Sequence, residues 1–575
     1  MDTGKRLMLV LVLVVGITSS LALAPSLYGN DNNFALAKSD SSNNNVKDDN
    51  RESEPVPSGL AEKIEKGSKR AEESKGKSTY GLKNMEGKEP LITALPSVKV
   101  EEASNERRSG TPNPHPLRVS AWDFDTDVLV PPSGISLEAE PDIIASEVTG
   151  TNLVAVYSDF SSGLNQCRLA NTFTDGASWT DRGFMVVPGG TSFHSDPVLA
   201  TNSRGHFIAV CLAFDFDSSA IIMQVSTNGG NKWRSPSVVA GTTGINTPKF
   251  YDKPWVGSDP NLQSPFKDRT YMCYTLFDDS VGTSKIMVKR IQNPLDADDG
   301  IALATGAELT TDVVQGCNVA VGPEGEVAVT WYQAFPTDPS IEGRIMLSRS
   351  YNGGDVWTTP KSVATFIKIP PCSIGFFGCL DGIAGQFRVN QFPDIAWDSS
   401  GGLHVTYVSM SLTTLADVMY TATFNCGLHS PSVSAASVPS VPVHAACTFV
   451  RPIRVNNEAL ARDQFFPSII ISHNDEVNEK DIVLIVVQDK REDPTNTSWR
   501  PWSYSCQLPG CNAAARWASN QVPVSRSLFS NTSSPIDFFV GDYNGLTSSS
   551  NKKAYAIWFD NVDGMTDIYS DRTRK

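Results

Sequence analysis

Histidine is scarce in this chain of 575 residues: there are seven, scattered without ligand spacing. A histidine-built metal centre is therefore excluded, and no Ser-His-Asp or phosphate-loop signature stands out. The ten cysteines lack the C-x2-C spacing of zinc sites. A basic excess is lacking too: 48 Lys and Arg stand against 63 Asp and Glu, a net charge of −15. Residues 1–37 and 38–116 are each balanced, so the whole deficit falls on residues 117–575. An acidic surface of that kind excludes nucleic acid as a partner. Helical periodicity is missing from the folded part of the chain, which excludes helical architectures.

The N-terminus carries Lys5 and Arg6 and then the apolar run Leu7–Val15. A basic start followed by an apolar core reads as an export signal. Cleavage would follow Ala22-Leu-Ala24 or Ala35-Leu-Ala37. An uncleaved anchor is the alternative, because Leu7 to Ala24 is long enough to span a bilayer. Residues 38–116 are rich in Ser, Asn, Lys and Glu and almost devoid of aromatics. Such a composition cannot offset the entropy of ordering and is expected to form a disordered stalk. The expected organisation is a signal or anchor (1–37), a stalk (38–116) and a folded domain (117–575). The protein is then secreted or anchored at the cell surface, meeting a membrane only through its N-terminal segment.

The folded part repeats. A polar or acidic lead-in, a Pro and an apolar run are followed, after a gap, by a second apolar run. Copies begin at Glu140, Asp196, Asp252, Cys317, Gln391, Gln464 and Phe538, the last with Phe538–Tyr543 as its first strand. A third strand follows each pair, as in Ile221–Val225 and Arg344–Leu347, and a more polar fourth strand usually follows a turn. Four short strands per repeat predict an all-β propeller whose blades stack to form the core. The count is seven blades, or six if one copy is a decoration. The last copy lacks a fourth strand before Lys575, and residues 117–130 are expected to supply it and close the ring, leaving no open edge.

The most informative local feature is a turn used twice. Ser226–Trp233 reads S-T-N-G-G-N-K-W and Ser350–Trp357 reads S-Y-N-G-G-D-V-W. Asn-Gly between strand-like runs is a strong hairpin signal, since the turn needs positive φ. A degenerate copy, Thr172–Trp179, occupies the equivalent place in the first repeat. These turns resemble the Asp boxes of the sialidase-like (bacterial neuraminidase repeat) propellers, with Asn228 and Asn352 where the family pattern has Asp. The resemblance covers roughly residues 117–575.

Where this turn is absent, cysteines stand in its place. Cys426–Cys447 and Cys506–Cys511 are expected to staple such hairpins, and Cys372–Cys379 to close another loop. Cys167, Cys211, Cys273 and Cys317 lie in or beside strands and either pair or serve as core thiols. Asn496 and Asn531 begin glycosylation sequons.

Residues just ahead of each innermost strand should ring one mouth of the propeller. That rule selects Glu140, Asp196, Asp252, Gln391, Gln464 and Asp542. Carboxyl groups around a water-lined hole suit sugar hydroxyls, a cation or acid–base work. The resemblance implies a Tyr nucleophile paired with a Glu, an Asp acid and three arginines for a substrate carboxylate. Tyr543 is the best-placed Tyr, Glu140 the only Glu of the ring, and Asp196 or Asp252 the acid. Arg388 lies close to an inner strand and Arg491 follows the sixth repeat's second strand within reach of the mouth, with Gln391 and Gln464 as further substrate contacts. The family's Arg-Ile-Pro motif at the first blade is missing. No cofactor is required, but calcium is left open by Asp123, Asp125 and Asp127 and by Asp296–Gly300. Two functions follow: an exo-glycosidase of sialidase type acting on extracellular or cell-envelope glycans, or a non-catalytic propeller binding a glycan or protein at the cell surface.

Overall fold

The computed structural model describes residues 124–574, apart from loop segments of which the longest are 295–304, 334–341, 425–447, 473–479 and 530–538. The leader, the stalk, Leu117–Ser120, Asp123, Asp296–Gly300, Cys372, Cys426, Cys447 and Asn531 lie outside the described residues.

Seven four-stranded antiparallel sheets follow one another along the chain. Their innermost strands are Glu138–Ala145, Phe193–Thr201, Lys249–Ser258, Val314–Val321, Asp394–Trp397, Gln464–Ser472 and Gly545–Ser548, here blades 1 to 7. In the first six blades the strands pair in chain order, each with the next. The seventh takes its outer strand from the front of the domain: Val128–Leu129 pairs antiparallel with Tyr569–Ser570. A two-stranded hairpin, Gly378–Gly382 with Gly385–Val389, is inserted between blades 4 and 5. The paired strand of blade 7 starts at Gly545, not within Phe538–Tyr543. The stretch ahead of it instead carries Asp542 and Tyr543 into the mouth.

Burial explains the sequence pattern. Second strands are sandwiched between neighbouring blades, so Leu153–Asp159, Phe207–Phe214 and Ala554–Asp560 are buried at every position. They read as unbroken apolar runs because both faces are covered. Outer strands such as Lys361–Ile367 mix exposed and buried positions.

Blades are joined by a small set of polar ties. Asp142 of blade 1 accepts the backbone N–H of Leu199 in blade 2 (2.8 Å). Asp394 of blade 5 accepts from Ile469 N and Ser468 Oγ of blade 6 (2.8 and 3.0 Å) and from Asn318 Nδ2 of blade 4 (2.6 Å). Cys167–Cys211 links blades 1 and 2, and Cys273–Cys317 links blades 3 and 4. Those four cysteines are therefore cross-links and not core thiols. Cys506 is bonded to Cys511, and Cys379 is also disulfide-bonded.

The repeated turn has the same internal geometry in both copies. Ser226 Oγ donates to Asn228 Oδ1 (3.1 Å), and that oxygen also accepts Lys232 N (2.9 Å) while Ser226 Oγ accepts Gly230 N (3.0 Å). Ser350, Asn352, Gly354 and Val356 repeat these three bonds at 3.0, 2.9 and 2.9 Å. In the degenerate copy Thr174 Oγ1 accepts Ser178 N (3.0 Å), and Asp175 takes the left-handed position at φ 61°. Each turn grips the preceding blade. Gly229 O accepts from Asn152 and Asn171 of blade 1 (3.1 and 2.6 Å), and Asp175 pairs with Arg572 of blade 7 (2.7 Å). Antiparallel order puts these turns at the opposite end of the ring from the starts of the inner strands.

Asn352→Ala removes an acceptor for two hydrogen bonds. It should lower unfolding free energy by about 1–2 kcal/mol, whereas Asn352→Asp, which keeps the acceptor, should cost much less. Urea unfolding of the two variants distinguishes them.

Candidate active site

The inner strands share a distortion at their first turn. The register with the second strand shifts between Ala139 and Asp142, Ser195 and Val198, Asp252 and Trp255, Gln315 and Cys317, and Phe465 and Ser468. In four of these β-bulges a residue with positive φ stands directly before a Pro: Glu140 (54°), Asp196 (52°), Lys253 (48°) and Phe466 (54°). In blade 4 the place is taken by Gly316 (φ 63°), where a Cβ would meet the Phe392 ring at 2.1 Å. Positive φ at non-glycine residues costs roughly 1–3 kcal/mol each and persists only where the surroundings over-determine it. The bulge re-aims its side chain away from the sheet, so one residue in each of these five blades is presented at the mouth. Those residues are charged on blades 1 to 3 and glycine or aromatic on blades 4 and 6.

Three carboxyl groups meet there. Glu140, Asp196 and Asp542 each place an oxygen within 4.8 Å of the other two, and all three are buried. Glu140 Oε2 accepts from Ser158 Oγ (3.0 Å), Ser195 Oγ (3.0 Å) and Asp196 N (3.3 Å). Asp542 Oδ2 pairs with Arg388 Nη2 at 2.6 Å, and its backbone oxygen accepts from Asn390 Nδ2 (2.8 Å). Arg388 comes from the inserted hairpin, with its guanidinium 4.5 Å from the centroid of the Phe539 ring. The Tyr543 hydroxyl donates to Pro197 O at 2.8 Å.

A cation that sequence reasoning passed over completes the centre. Lys253, 3 % exposed, stands over the Tyr543 ring at 3.6 Å and the Trp255 ring at 4.7 Å. Its Nζ makes no hydrogen bond among the described residues. The repeat does contain the signal. Lys253 precedes Pro254 as Glu140 precedes Pro141 and Asp196 precedes Pro197, so aligning on the Pro, and not on the acid before it, selects Lys253.

Burial governs the protonation of this cluster. It raises the Glu140 carboxyl, helped by the Asp542 charge, and it raises Asp196 well above the ordinary range, helped by Glu140. Lys253 opposes both shifts. Asp252 is pushed up to about 6 by burial, against a hydrogen bond from Gln315 Nε2 (2.9 Å). The Tyr543 phenol is raised well above its usual value, by burial first and then by Glu140. A carboxyl trio at this spacing is able to share protons or to grip a cation. The guanidinium of Arg388 and the ammonium of Lys253 already offset much of its charge, which works against a divalent ion.

The other sequence-selected residues lie in separate settings. Gln391 accepts Ile369 N (2.8 Å) and donates to Ile367 O and Val408 O (3.0 and 2.9 Å), which ties the chain ahead of the hairpin to blade 5. Gln464 and Arg491 come together, but in a second cluster. Gln464 donates to Asp489 Oδ1 (3.2 Å) and accepts from Asn456 (2.7 Å). Arg491 is held by Asp489 (2.6 Å) and Tyr504 (2.8 Å). Among the described residues one guanidinium, that of Arg388, pairs with the trio. Asp127 accepts from Ser525 Oγ (3.1 Å) and Arg526 N (3.2 Å), tying the N-terminal strand to the loop after blade 6.

No protein-family model matches the chain, and no curated protein matches it in sequence. Solved structures do match. The GH93 alpha-L-arabinofuranosidase of Fusarium graminearum in complex with arabinobiose is 11 % identical, over 78 % of this chain and 98 % of that one, with a TM-score of 0.38. The NanB sialidase of Streptococcus pneumoniae is 8 % identical, over 79 % and 97 %, with a TM-score of 0.37. A protein of unknown function from Dyadobacter fermentans is 12 % identical, over 65 % and 96 %, with a TM-score of 0.36. The chain is similar to these solved structures at low identity.

Arg388→Ala leaves the buried Asp542 carboxylate without its counter-charge. The loss should be about 3–5 kcal/mol of stability, read by chemical denaturation. Adding Asp542→Asn should recover part of it.

Proposed function

We propose that the protein is a carbohydrate-active propeller that cleaves a glycosidic bond in an extracellular or cell-envelope glycan at the Glu140–Asp196–Asp542 cluster. The observation that carries this reading is the convergence of three buried carboxyl groups from blades 1, 2 and 7 within 4.8 Å. Asp196 is the proton donor. Its carboxyl makes no hydrogen bond among the described residues, and burial holds it protonated above the usual carboxylate range. Asp542 is the partner carboxyl: Arg388 pairs with its Oδ2 at 2.6 Å, and Oδ1 makes no hydrogen bond among the described residues. It faces the positive charge that develops at the sugar carbon. Glu140, saturated by three donors on one oxygen, positions Asp196 through its backbone N–H.

The spacing bears on stereochemistry. Inverting glycosidases separate their two carboxyls by about 6.5–9.5 Å to admit a water, and retaining ones by about 5–5.5 Å. The short distances here favour retention, in which Asp542 Oδ1 bonds to the sugar carbon as Asp196 gives its proton to the leaving oxygen, and a water, whose proton Asp196 takes, then displaces the glycosyl ester. A sialidase-type variant would use Tyr543 as nucleophile, which requires its hydroxyl to leave Pro197 O. A second reading, a non-catalytic glycan-binding propeller at the cell surface, is favoured by how little of the cluster solvent reaches: Glu140 is 1 % and Asp196 5 % exposed.

Hydrolysis of a panel of sialosides, arabinosides and uronosides tests the proposal. Asp196→Asn should lower kcat by about 10²–10⁴ at an unchanged melting temperature, and Tyr543→Phe should stay within about tenfold of wild type. The wild-type rate should fall as pH rises through the elevated Asp196 value, since the donor loses its proton there. A glycan that binds but is never cut, with Asp196→Asn binding it equally, would establish the binding module instead. Loss of turnover in Tyr543→Phe would return the nucleophile to that residue.

A further inference from the structure

Among the described residues the turn between the third and fourth strands grips the preceding blade at three places, and two of the grips are tight. A Cβ at Gly230 would meet Val154 Cγ2 at 2.6 Å, and one at Gly354 would meet Tyr271 Cε1 at 3.0 Å. The equivalent glycine of the first blade, Gly176, stands off: its nearest neighbour is Tyr555 Cδ1 at 3.8 Å. The gap is a cavity of about 230 Å³ at the seam where the ring closes, lined by Trp179, Tyr555, Val128, Ile143, Asp125 and Asp571 among others. It holds roughly seven waters' worth of volume and lies at the opposite end of the ring from the carboxyl cluster.

The polar groups of this lining are almost all committed. Trp179 Nε1 donates to Ser570 Oγ (2.9 Å). The Tyr555 hydroxyl is held by Asp175, and Arg572 Nη1 by the backbone and carboxylate of the same residue. Asp571 Oδ1 accepts three backbone N–H groups, from Asp125 (3.2 Å), Thr126 (2.9 Å) and Arg572 (2.6 Å). Asp571 Oδ2 accepts from none of the described residues. The cavity lining therefore combines two aromatic rings, an apolar wall, the Arg572 guanidinium held by Asp175, and the Asp571 carboxyl, whose Oδ2 accepts no hydrogen bond among the described residues.

We propose that this seam cavity binds an organic cation, an alkylammonium or alkylguanidinium group about the size of the end of a lysine or arginine side chain, with its charge on Asp571 Oδ2 and its body against Trp179 and Tyr555. Carboxylate and aromatic faces together favour a cation that donates hydrogen bonds. A neutral sugar would meet acceptors and apolar walls but few donors for its own oxygens. The negative charge of the domain raises the local concentration of cations.

The test is calorimetric titration of the full chain with butylguanidinium, and with 1-butanol as the uncharged control. It is run at pH 8.5, where Asp571, pushed up to about 7 by burial, is ionised. Butylguanidinium should bind with a dissociation constant on the order of 1 mM, and butanol should not bind. Asp571→Asn keeps the Oδ1 acceptor for the N-terminal strand and removes the anionic oxygen. Ala177→Phe narrows the cavity from an exposed rim position. Both should weaken binding at least tenfold at an unchanged melting temperature. Unchanged affinity in Asp571→Asn, equal affinity for butanol, or no heat at tenfold higher concentration would each overturn the proposal.

Discussion

A four-stranded blade cannot bury both of its faces alone, and everything else in this structure depends on that. Leu153–Asp159, Phe207–Phe214 and Ala554–Asp560 are stable as strands only because a neighbour covers each side. Closing the ring is then a condition of stability for every blade. The chain meets it by sending Val128–Leu129 to the last sheet and by joining blades with Asp142, Asp394, two disulfides and the glycine-rich turns. At the seam Asp175 pairs with Arg572 and Asp571 binds the N-terminal strand, while Gly176 leaves a gap.

The same geometry produces the candidate site. Inner strands converge on the axis, so a bulge repeated in several blades concentrates side chains that are 50 or more residues apart in sequence. Gathering Glu140, Asp196 and Asp542 in a buried place costs solvation, and the cluster offsets this in three ways. Ser158 and Ser195 hydrogen-bond Glu140, Arg388 pairs with Asp542, and protons stay on groups that would otherwise ionise. Lys253 supplies a further positive charge without a fixed oxygen partner, held by the faces of Tyr543 and Trp255. A centre balanced in this way responds to any ligand that adds or removes charge.

Much of the fold was legible because its causes are local. Unbroken apolar runs mark strands covered on both sides, and Asn228 and Asn352 write the turn bonds into the sequence. The candidate site was legible in part. Glu140, Asp196 and Asp542 were selected by the rule that residues ahead of inner strands face the axis, and Arg388 by its place near one. Lys253 was missed because the repeat was aligned on acids, when the bulge is set by the Pro that follows. Gln391 and Gln464 satisfy the same pattern and Arg491 follows a second strand, yet all three lie in hydrogen-bonded settings apart from the trio. A one-residue difference in register decides whether a side chain faces the mouth or the neighbouring strand.

By itself the sequence determined the strand repeat, its period, the turn chemistry and the acidic character of the domain, since each follows from residues close together along the chain. Only the tertiary structure decided which polar residues meet. Arg388 reaches Asp542 across 154 positions because an inserted hairpin folds over the mouth, and Asp571 receives the N-terminal strand across 445. Cys167 and Cys211 become a bond because two blades stack at that register. Such meetings depend on the angle and offset at which blades pack, and those are set by the sum of all the blade contacts, which no local window of sequence contains.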